Sequence, residues 1–199
     1  MKNGIILLAL TVTALAACNN EKQKTSDINV HSDTAMTSSA NPSAATPTAS
    51  GDNTAASMKE MVGQYLQIKN ALANDNGKEA AAAGNAFVAS MGKMQKTSMA
   101  QEKVKVWDNL SDDAKEMAEH IGMNGGKLEH QREHFDMLSN DMYDMVKAFG
   151  AGQTLYKDFC PMYNNKKGAS WLSETKEINN PYFGKKMATC GSVKEEIKM

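Results

Sequence analysis

The sequence predicts an all-α fold, namely an antiparallel four-helix bundle with a turn-rich C-terminal cap. Apolar residues recur at every third and fourth position in four successive segments, which is the period of an amphipathic helix. The connections between these segments are short, and short connections favour antiparallel neighbours. After residue 150, glycines and prolines interrupt the apolar runs, which is typical of turns.

The first two helices follow from the stripes in MKEMVGQYLQIKNALAND and GKEAAAAGNAFVASMGKM. The stretch from Asn74 to Gly77 separates them, because asparagine and glycine favour helix ends. The second segment is rich in alanine, the strongest helix former, and carries Phe87 and Met91 on one side.

The third predicted helix covers about residues 98 to 123, and Ser111 in NLSDD resembles an N-cap that would bend it. The sequence NGG then ends the apolar pattern of the third helix. A fourth stripe runs from Leu128 to Phe149 and ends at Gly150. Residues 57–150 therefore form the predicted bundle. Residues 151–199 form a cap of the same domain, in which MYNNKKGASWL is compatible with a small β-hairpin.

The N-terminus predicts export. A lysine, an apolar run from Ile5 to Ala17 and small residues are the parts of a signal peptide, here residues 1–17. LAAC resembles a lipobox, in which cleavage precedes Cys18 and the thiol carries diacylglycerol. We therefore expect a lipoprotein in the envelope of a Gram-negative bacterium, on the periplasmic face or in the outer membrane, held to the membrane by lipid on Cys18. The alternative is a plain signal peptide with a cysteine by chance.

Residues 18–56 are predicted to be a disordered tether. They consist mainly of small and polar residues and hold almost no large apolar side chain. Such a segment cannot bury enough surface to offset its ordering entropy. His31, within it, is expected to be solvated.

Composition and missing motifs exclude several functions. The net charge is −1 with scattered lysines, so we expect no nucleic-acid partner. The sequence contains no Cys-x-x-Cys, His-Glu-x-x-His, glycine-rich phosphate loop or Gly-x-Ser-x-Gly. We therefore predict that the protein is not an enzyme and has no organic cofactor.

Residues of the types that bind soft metal ions occur in the second half of the chain. Thiolates and thioethers select copper(I) or silver(I), and imidazoles bind copper or zinc. His130 and His134 are four apart, so they share one face of the fourth helix and can hold one ion. The predicted ligands are Cys160, Met162, Met187, Cys190, His130 and His134. His120 is a third histidine of this half.

Each part of this set also has a structural interpretation. An exposed histidine pair is often a solvated helix face, and Arg132 between the two disfavours a metal cation unless it points away. Cys160 and Cys190 can instead form a disulfide that closes the cap, worth about 3 kcal/mol. Methionines at helical spacing are typical core residues. Those assigned to the core on this basis are Met117, Met142 and Met145.

The C-terminal half resembles a known family through the pattern CPM…GASWLS…NPYFG…M…CG. The family consists of exported helical domains of unknown function, found as lipoproteins and attached to periplasmic adaptor subunits of copper/silver-type heavy-metal efflux pumps. The resemblance extends from about Met58 to Ile197. Its pattern falls on Gln131, Arg132, Phe135, Ser139, Cys160, Pro161, Met162, Gly168, Trp171, Leu172, Asn180, Pro181, Tyr182, Gly184, Met187, Cys190 and Gly191.

The resemblance implies a metal-binding or metal-relay role. We therefore expect an envelope lipoprotein that binds copper(I) or silver(I) as a buffer or as a donor to an efflux adaptor. The expected principal ligands are Cys160, Met162 and Cys190, with Met187 and one of the two helix histidines completing the shell. The rival hypothesis is a structural or interaction module without metal, in which the cysteines form a disulfide and the aromatic residues of WLS and NPYFG present a docking surface.

Overall fold

The computed structural model describes the chain from residue 50 to residue 198. The predicted signal peptide, Cys18, His31 and the first part of the predicted tether lie outside these residues. No helix of the described part is long and apolar enough to cross a membrane. The elements are α1 (Ser50–Ala73), α2 (Gly77–Met91), α3 (Gln101–Met123), α4 (Leu128–Phe149), β1 (Leu155–Cys160), the one-turn α5 (Tyr163–Lys166), β2 (Ala169–Ser173) and β3 (Ser192–Ile197).

The four long helices were predicted, with two differences. Helix α1 begins at Ser50, so it includes residues 50–56, which the sequence analysis assigned to the tether. Helix α3 continues through Ser111 without a break. The reason is that the apolar stripe of α3 stays in phase across NLSDD, so Trp107 and Ala114 are both buried on the same side. Consecutive helices contact each other, and α1 also contacts α4.

The helix ends are set by local sequence. The Asn76 side chain accepts a hydrogen bond from the Glu79 backbone N–H at 3.1 Å, and the Glu79 carboxylate accepts one from Asn76 Nδ2 at 2.8 Å. Asn76 is therefore the N-cap of α2, and its side-chain amide is held in turn by Glu79. Between α2 and α3, Gly84 allows close approach, because a Cβ there would lie 2.9 Å from the Ala118 carbonyl oxygen.

The C-terminal segment contains a three-stranded antiparallel sheet of order β2-β1-β3, so the protein is mostly helical rather than all-α. The predicted hairpin is present, but its first strand begins at Leu155 rather than in MYNNKKGASWL. The loop between its strands contains Asn164, Asn165 and Lys166 at positive φ. The third strand was missed because β3 has no apolar alternation; it is an exposed, charged edge strand.

The sheet is joined to the helices through buried polar contacts. Tyr65 of α1 is fully buried, and its hydroxyl lies 2.8 Å from Ser139 Oγ of α4 and accepts a hydrogen bond from the Leu172 N–H of β2 at 3.0 Å. Trp171 and Tyr182 are buried as well, so these two aromatic residues of WLS and NPYFG are not exposed for docking. One tyrosine hydroxyl thus connects three elements.

Arg132, the single arginine of the chain, makes the second such connection. It is buried in α4 and donates hydrogen bonds to the carbonyl oxygens of Leu72 and Pro181, at 3.0 and 2.8 Å, and to Asp75 Oδ1 at 2.6 Å. The hydrogen bond from Arg132 lowers the pKa of Asp75. The guanidinium therefore joins the end of α1, α4 and the loop after β2.

We predict that Arg132→Met lowers the free energy of unfolding by about 3 kcal/mol, because three acceptors lose their donor at once. Arg132→Lys should lose less, since an ammonium keeps the charge but cannot reproduce the planar fork of donors. Urea unfolding of both variants measures the change. As a control, Lys147→Met breaks an exposed ion pair with Glu195 and should have little effect. An unchanged urea midpoint for Arg132→Met would contradict this connecting role.

Asp158 is a further buried ionisable side chain. It lies in β1 with no exposed surface, and within residues 53–198 neither carboxylate oxygen has a hydrogen-bond partner. The nearby Lys69 is also buried but donates to Glu174 Oε2 at 2.7 Å. Burial raises the pKa of Asp158 to about 7, although the charge of Lys69 opposes the shift. The native state therefore holds a proton on Asp158 at pH values where the unfolded chain has lost it.

We predict that the stability of the wild type, relative to Asp158→Asn, falls as pH rises from about 4 to about 7. The two proteins should differ least in acid. Above pH 7 the asparagine variant should be more stable by a few kcal/mol, because one pKa unit corresponds to about 1.4 kcal/mol. Urea unfolding at a series of pH values gives the difference, with exposed Asp112→Asn as the matched control. A pH-independent difference would show that Asp158 is charged throughout.

Candidate metal centre

His130 and His134 lie one turn apart near the start of α4, as the spacing predicted. Their Nε2 atoms are 3.2 Å apart. Two nitrogens bound to one tetrahedral ion at about 2.05 Å are separated by about 3.3 Å. The two imidazoles are therefore spaced almost as a shared ion requires.

A third imidazole comes from the other side of the α3–α4 turn. His120 lies in the last turn of α3, and its ring stacks on that of His134 with centroids 4.3 Å apart. One ligand nitrogen from each of the three rings falls within 4.8 Å of the others. Among the described residues, this is the only group of three or more histidine, cysteine, aspartate or glutamate side chains with that proximity.

Met117 adds a thioether at the edge of this histidine cluster. Its Sδ lies 3.3 Å from His134 Nδ1. The sequence analysis assigned Met117 to the core, together with Met142 and Met145, which are indeed fully buried. Met117 is half-buried: it packs against the core, and its sulfur also lies beside an imidazole. It precedes His120 by three residues, so α3 supplies both groups from one face.

Carboxylates flank the cluster, and the nearby arginine does not enter it. Glu133 Oε2 lies 3.6 Å from His130 Nδ1, the nitrogen that faces away from His134, and Glu116 Oε1 lies 3.8 Å from His120 Nε2. Carboxylates in such positions orient metal-bound imidazoles and raise their basicity. Arg132 is rotated by about 200° around the helix from His130 and is held by its buried partners. The cation is directed away from the cluster.

The cluster favours a neutral ring at His134. Burial, followed by the charges of His120 and His130, lowers the pKa of His134. A neutral imidazole is the form that binds a metal ion. The side chains of His120 and His130 are 38% and 39% exposed, so an ion can reach them from solvent.

The two cysteines predicted as metal ligands lie apart from the histidine cluster. Cys160, at the end of β1, is fully buried, and its Sγ is 3.1 Å from the Sγ of Cys190. Neither cysteine belongs to the group of ligand atoms formed by the histidines. Met187 is half-buried in the turn Gly184–Met187.

Met162 is 45% exposed and lines an open groove of about 690 Å³ together with Met137 and Phe183. The structure thus brings together a cysteine pair and a histidine cluster, but it does not combine them in one group. The cysteines and histidines are thus two separate groups, and the participation of Met162 and Met187 in a metal site stays a prediction.

The sequence contained only part of the information needed to place His120 beside His130 and His134. The residue lies in the last turn of α3, and the NGG turn places the end of this helix beside the start of the next. Its proximity to His130 also depends on how α3 is rotated about its axis. That rotation is set by the packing of Ala114, Ala118 and Ile121, all fully buried.

Part of the chain is similar to a protein family of unknown function. Residues 61–154 match the family model described as "Protein of unknown function (DUF3347)". The matched region contains the histidine cluster and Met117, and it ends before β1, so both cysteines lie outside it. No curated protein and no solved structure matches the chain.

Proposed function

We propose that this protein is a lipid-anchored envelope protein that binds one soft or borderline transition-metal ion, copper(I) or silver(I), at His120, His130 and His134. In this proposal it acts as a buffer or as a donor to a heavy-metal efflux adaptor. The observation that carries the proposal is the convergence of three imidazoles from two helices within 4.8 Å. Helices hold ligands more firmly than loops do, and we propose that the four long helices form an antiparallel bundle that serves as this scaffold.

Three imidazoles leave room for a further ligand. A three-nitrogen site with an open position can accept a fourth donor from an incoming ligand or partner. Imidazoles accept copper or zinc, so the preference for copper(I) or silver(I) in this proposal comes from the resemblance to the efflux-associated family. Met117 Sδ contacts His134 Nδ1, on the opposite side of the ring from the Nε2 that faces His130, so we propose that Met117 orients the His134 ring and does not bind the ion.

The cysteine pair fits a shared ion less well. Two thiolates bound to one tetrahedral ion at about 2.3 Å are separated by about 3.7 Å. The observed separation of Cys160 and Cys190 is 3.1 Å. We therefore assign the metal ion to the histidine cluster rather than to the cysteines.

Partial exposure of the histidines supports a role in exchange. An ion held by rings that are more than a third exposed can be loaded and released without unfolding. A purely structural ion would be expected in a closed site. The proposal includes no catalytic reaction.

We predict that the reduced full-length protein binds one copper(I) or silver(I) ion, and that His134→Gln weakens this binding by about 100-fold or more. The reason is that His134 is one of the three proposed ligands, and its Nε2 lies 3.2 Å from that of His130. Competition with a chromogenic chelator measures the affinity, and titration with zinc measures selectivity. Met117→Leu should weaken binding far less than His134→Gln does, because Met117 contacts His134 on the side of the ring that faces away from His130.

Two matched controls locate the ion. His31→Gln removes the fourth histidine of the chain and should leave the affinity unchanged. Cys160→Ser/Cys190→Ser should also leave it unchanged. If the double cysteine variant loses the ion while His134→Gln retains it, the ion belongs to the sulfurs and the assignment to histidine is wrong.

The pH dependence of binding separates the two ligand classes. Protons compete for imidazole only near and below its pKa, which is lowered at His134. We therefore expect the affinity to be constant above about pH 7 and to fall as the pH drops below about 6.5, the ordinary histidine value. Thiol ligands would lose affinity already between about pH 9 and 7, because their ordinary pKa is about 8.5. Repeating the chelator competition from pH 5 to pH 9 gives the profile.

A further inference from the structure

Cys160 and Cys190 lie where two distant parts of the C-terminal segment meet. Cys160 ends β1, and Cys190 lies two positions before β3 begins at Ser192. Their backbones are held independently of the sulfurs. The Cys190 N–H donates to the Met187 carbonyl at 3.0 Å, and its carbonyl accepts from Asn180 Nδ2 at 2.6 Å. The Sγ–Sγ distance of 3.1 Å is therefore imposed by the fold around the pair.

The two thiols differ in access. Cys160 has no exposed surface, whereas Cys190 is half-buried. A large oxidant can therefore reach only the sulfur of Cys190 in the folded protein. Cys160 is placed to react with nothing but Cys190.

We propose that Cys160 and Cys190 form an intramolecular disulfide by ordered thiol–disulfide exchange, in which Cys190 attacks the oxidant and Cys160 resolves the intermediate. The oxidant is a protein or small-molecule disulfide, R–S–S–R. The Cys190 thiolate attacks one sulfur of this disulfide and expels R–S⁻. The Cys160 thiolate then attacks the Cys190 sulfur and expels the second R–S⁻. The two thiols lose two protons and two electrons, and the oxidant becomes two R–SH.

The segment closed by this disulfide holds the cap against the helices. The cysteines are 30 positions apart, and the loop between them carries Pro181, whose carbonyl accepts from Arg132, and Tyr182. The Tyr182 hydroxyl donates to the Ser170 carbonyl at 2.6 Å, and its ring stacks on Tyr163 at 4.4 Å. A covalent link across the ends of this segment restricts the unfolded chain and so stabilises the docked loop.

The rate of the first step should depend on pH. The hydrogen bond to Cys160 and burial raise the pKa of Cys190. Because the thiolate is the attacking species, exchange is slow at neutral pH and becomes faster as the pH rises. Disulfide formation uses no histidine side chain, so it does not depend on binding of the metal ion proposed above.

The first experiment identifies the product of oxidation in the full-length protein. Reduced protein is incubated with oxidised glutathione and analysed by peptide mapping. We expect one linked Cys160–Cys190 peptide, a mass lower by about 2 Da and no lasting glutathione adduct on either residue. The oxidised form should melt several degrees above the reduced form, and Cys160→Ser/Cys190→Ser should show no such difference. A dimer linked through these residues, or equal melting of both forms, would overturn the proposal.

The two single cysteine variants test which cysteine reacts first with the oxidant. With oxidised glutathione, Cys160→Ser should stop at a glutathione adduct on Cys190, because no resolving thiol remains. Cys190→Ser should acquire an adduct on Cys160 at least about tenfold more slowly, because that sulfur is buried. In denaturant the two rates should converge, which controls for intrinsic reactivity. Equal rates in the folded proteins would show that the order is wrong.

Discussion

The buried guanidinium of Arg132 is the constraint on which the arrangement of the described domain depends. An unpaired charge in the interior costs several kcal/mol, so the fold must supply acceptors around it. These come from the end of α1, from Asp75 and from the Pro181 carbonyl in the loop after β2. The same side chain therefore fixes the cap relative to the helices. It also fixes the rotation of α4, which directs His130 and His134 to the opposite side.

Metal binding and a disulfide were alternatives for the same cysteines when only the sequence was considered. In the proposal above that competition is absent, because the metal ion is assigned to the histidine cluster, which is separate from the cysteine pair. A soft ion held by imidazoles and a cap closed through Cys160 and Cys190 can coexist in one molecule. In the combined proposal the histidine cluster carries the function and the cysteines stabilise the segment that covers α4.

The buried carboxyl of Asp158 is a destabilising feature of this fold near neutral pH. A carboxylate without a hydrogen-bond partner, opposite Trp171 in the β1–β2 register, weakens the native state near neutral pH. Lys69 lies near enough to oppose the shift but is bound to Glu174. We have no physical explanation for an acid at this position.

The sequence by itself determined the four long helices, because the period of apolar residues and stops such as NGG and Gly150 are local signals. It also determined that His130 and His134 share a helix face, since that follows from helix geometry. Only the tertiary structure decided that His120 and Met117 join them, because contact across α3 and α4 depends on the rotation of both helices. It likewise decided that Cys160 meets Cys190 apart from the histidines, and that the charged segment Ser192–Ile197 pairs with β1. These contacts join residues distant in the chain, so no local pattern encodes them.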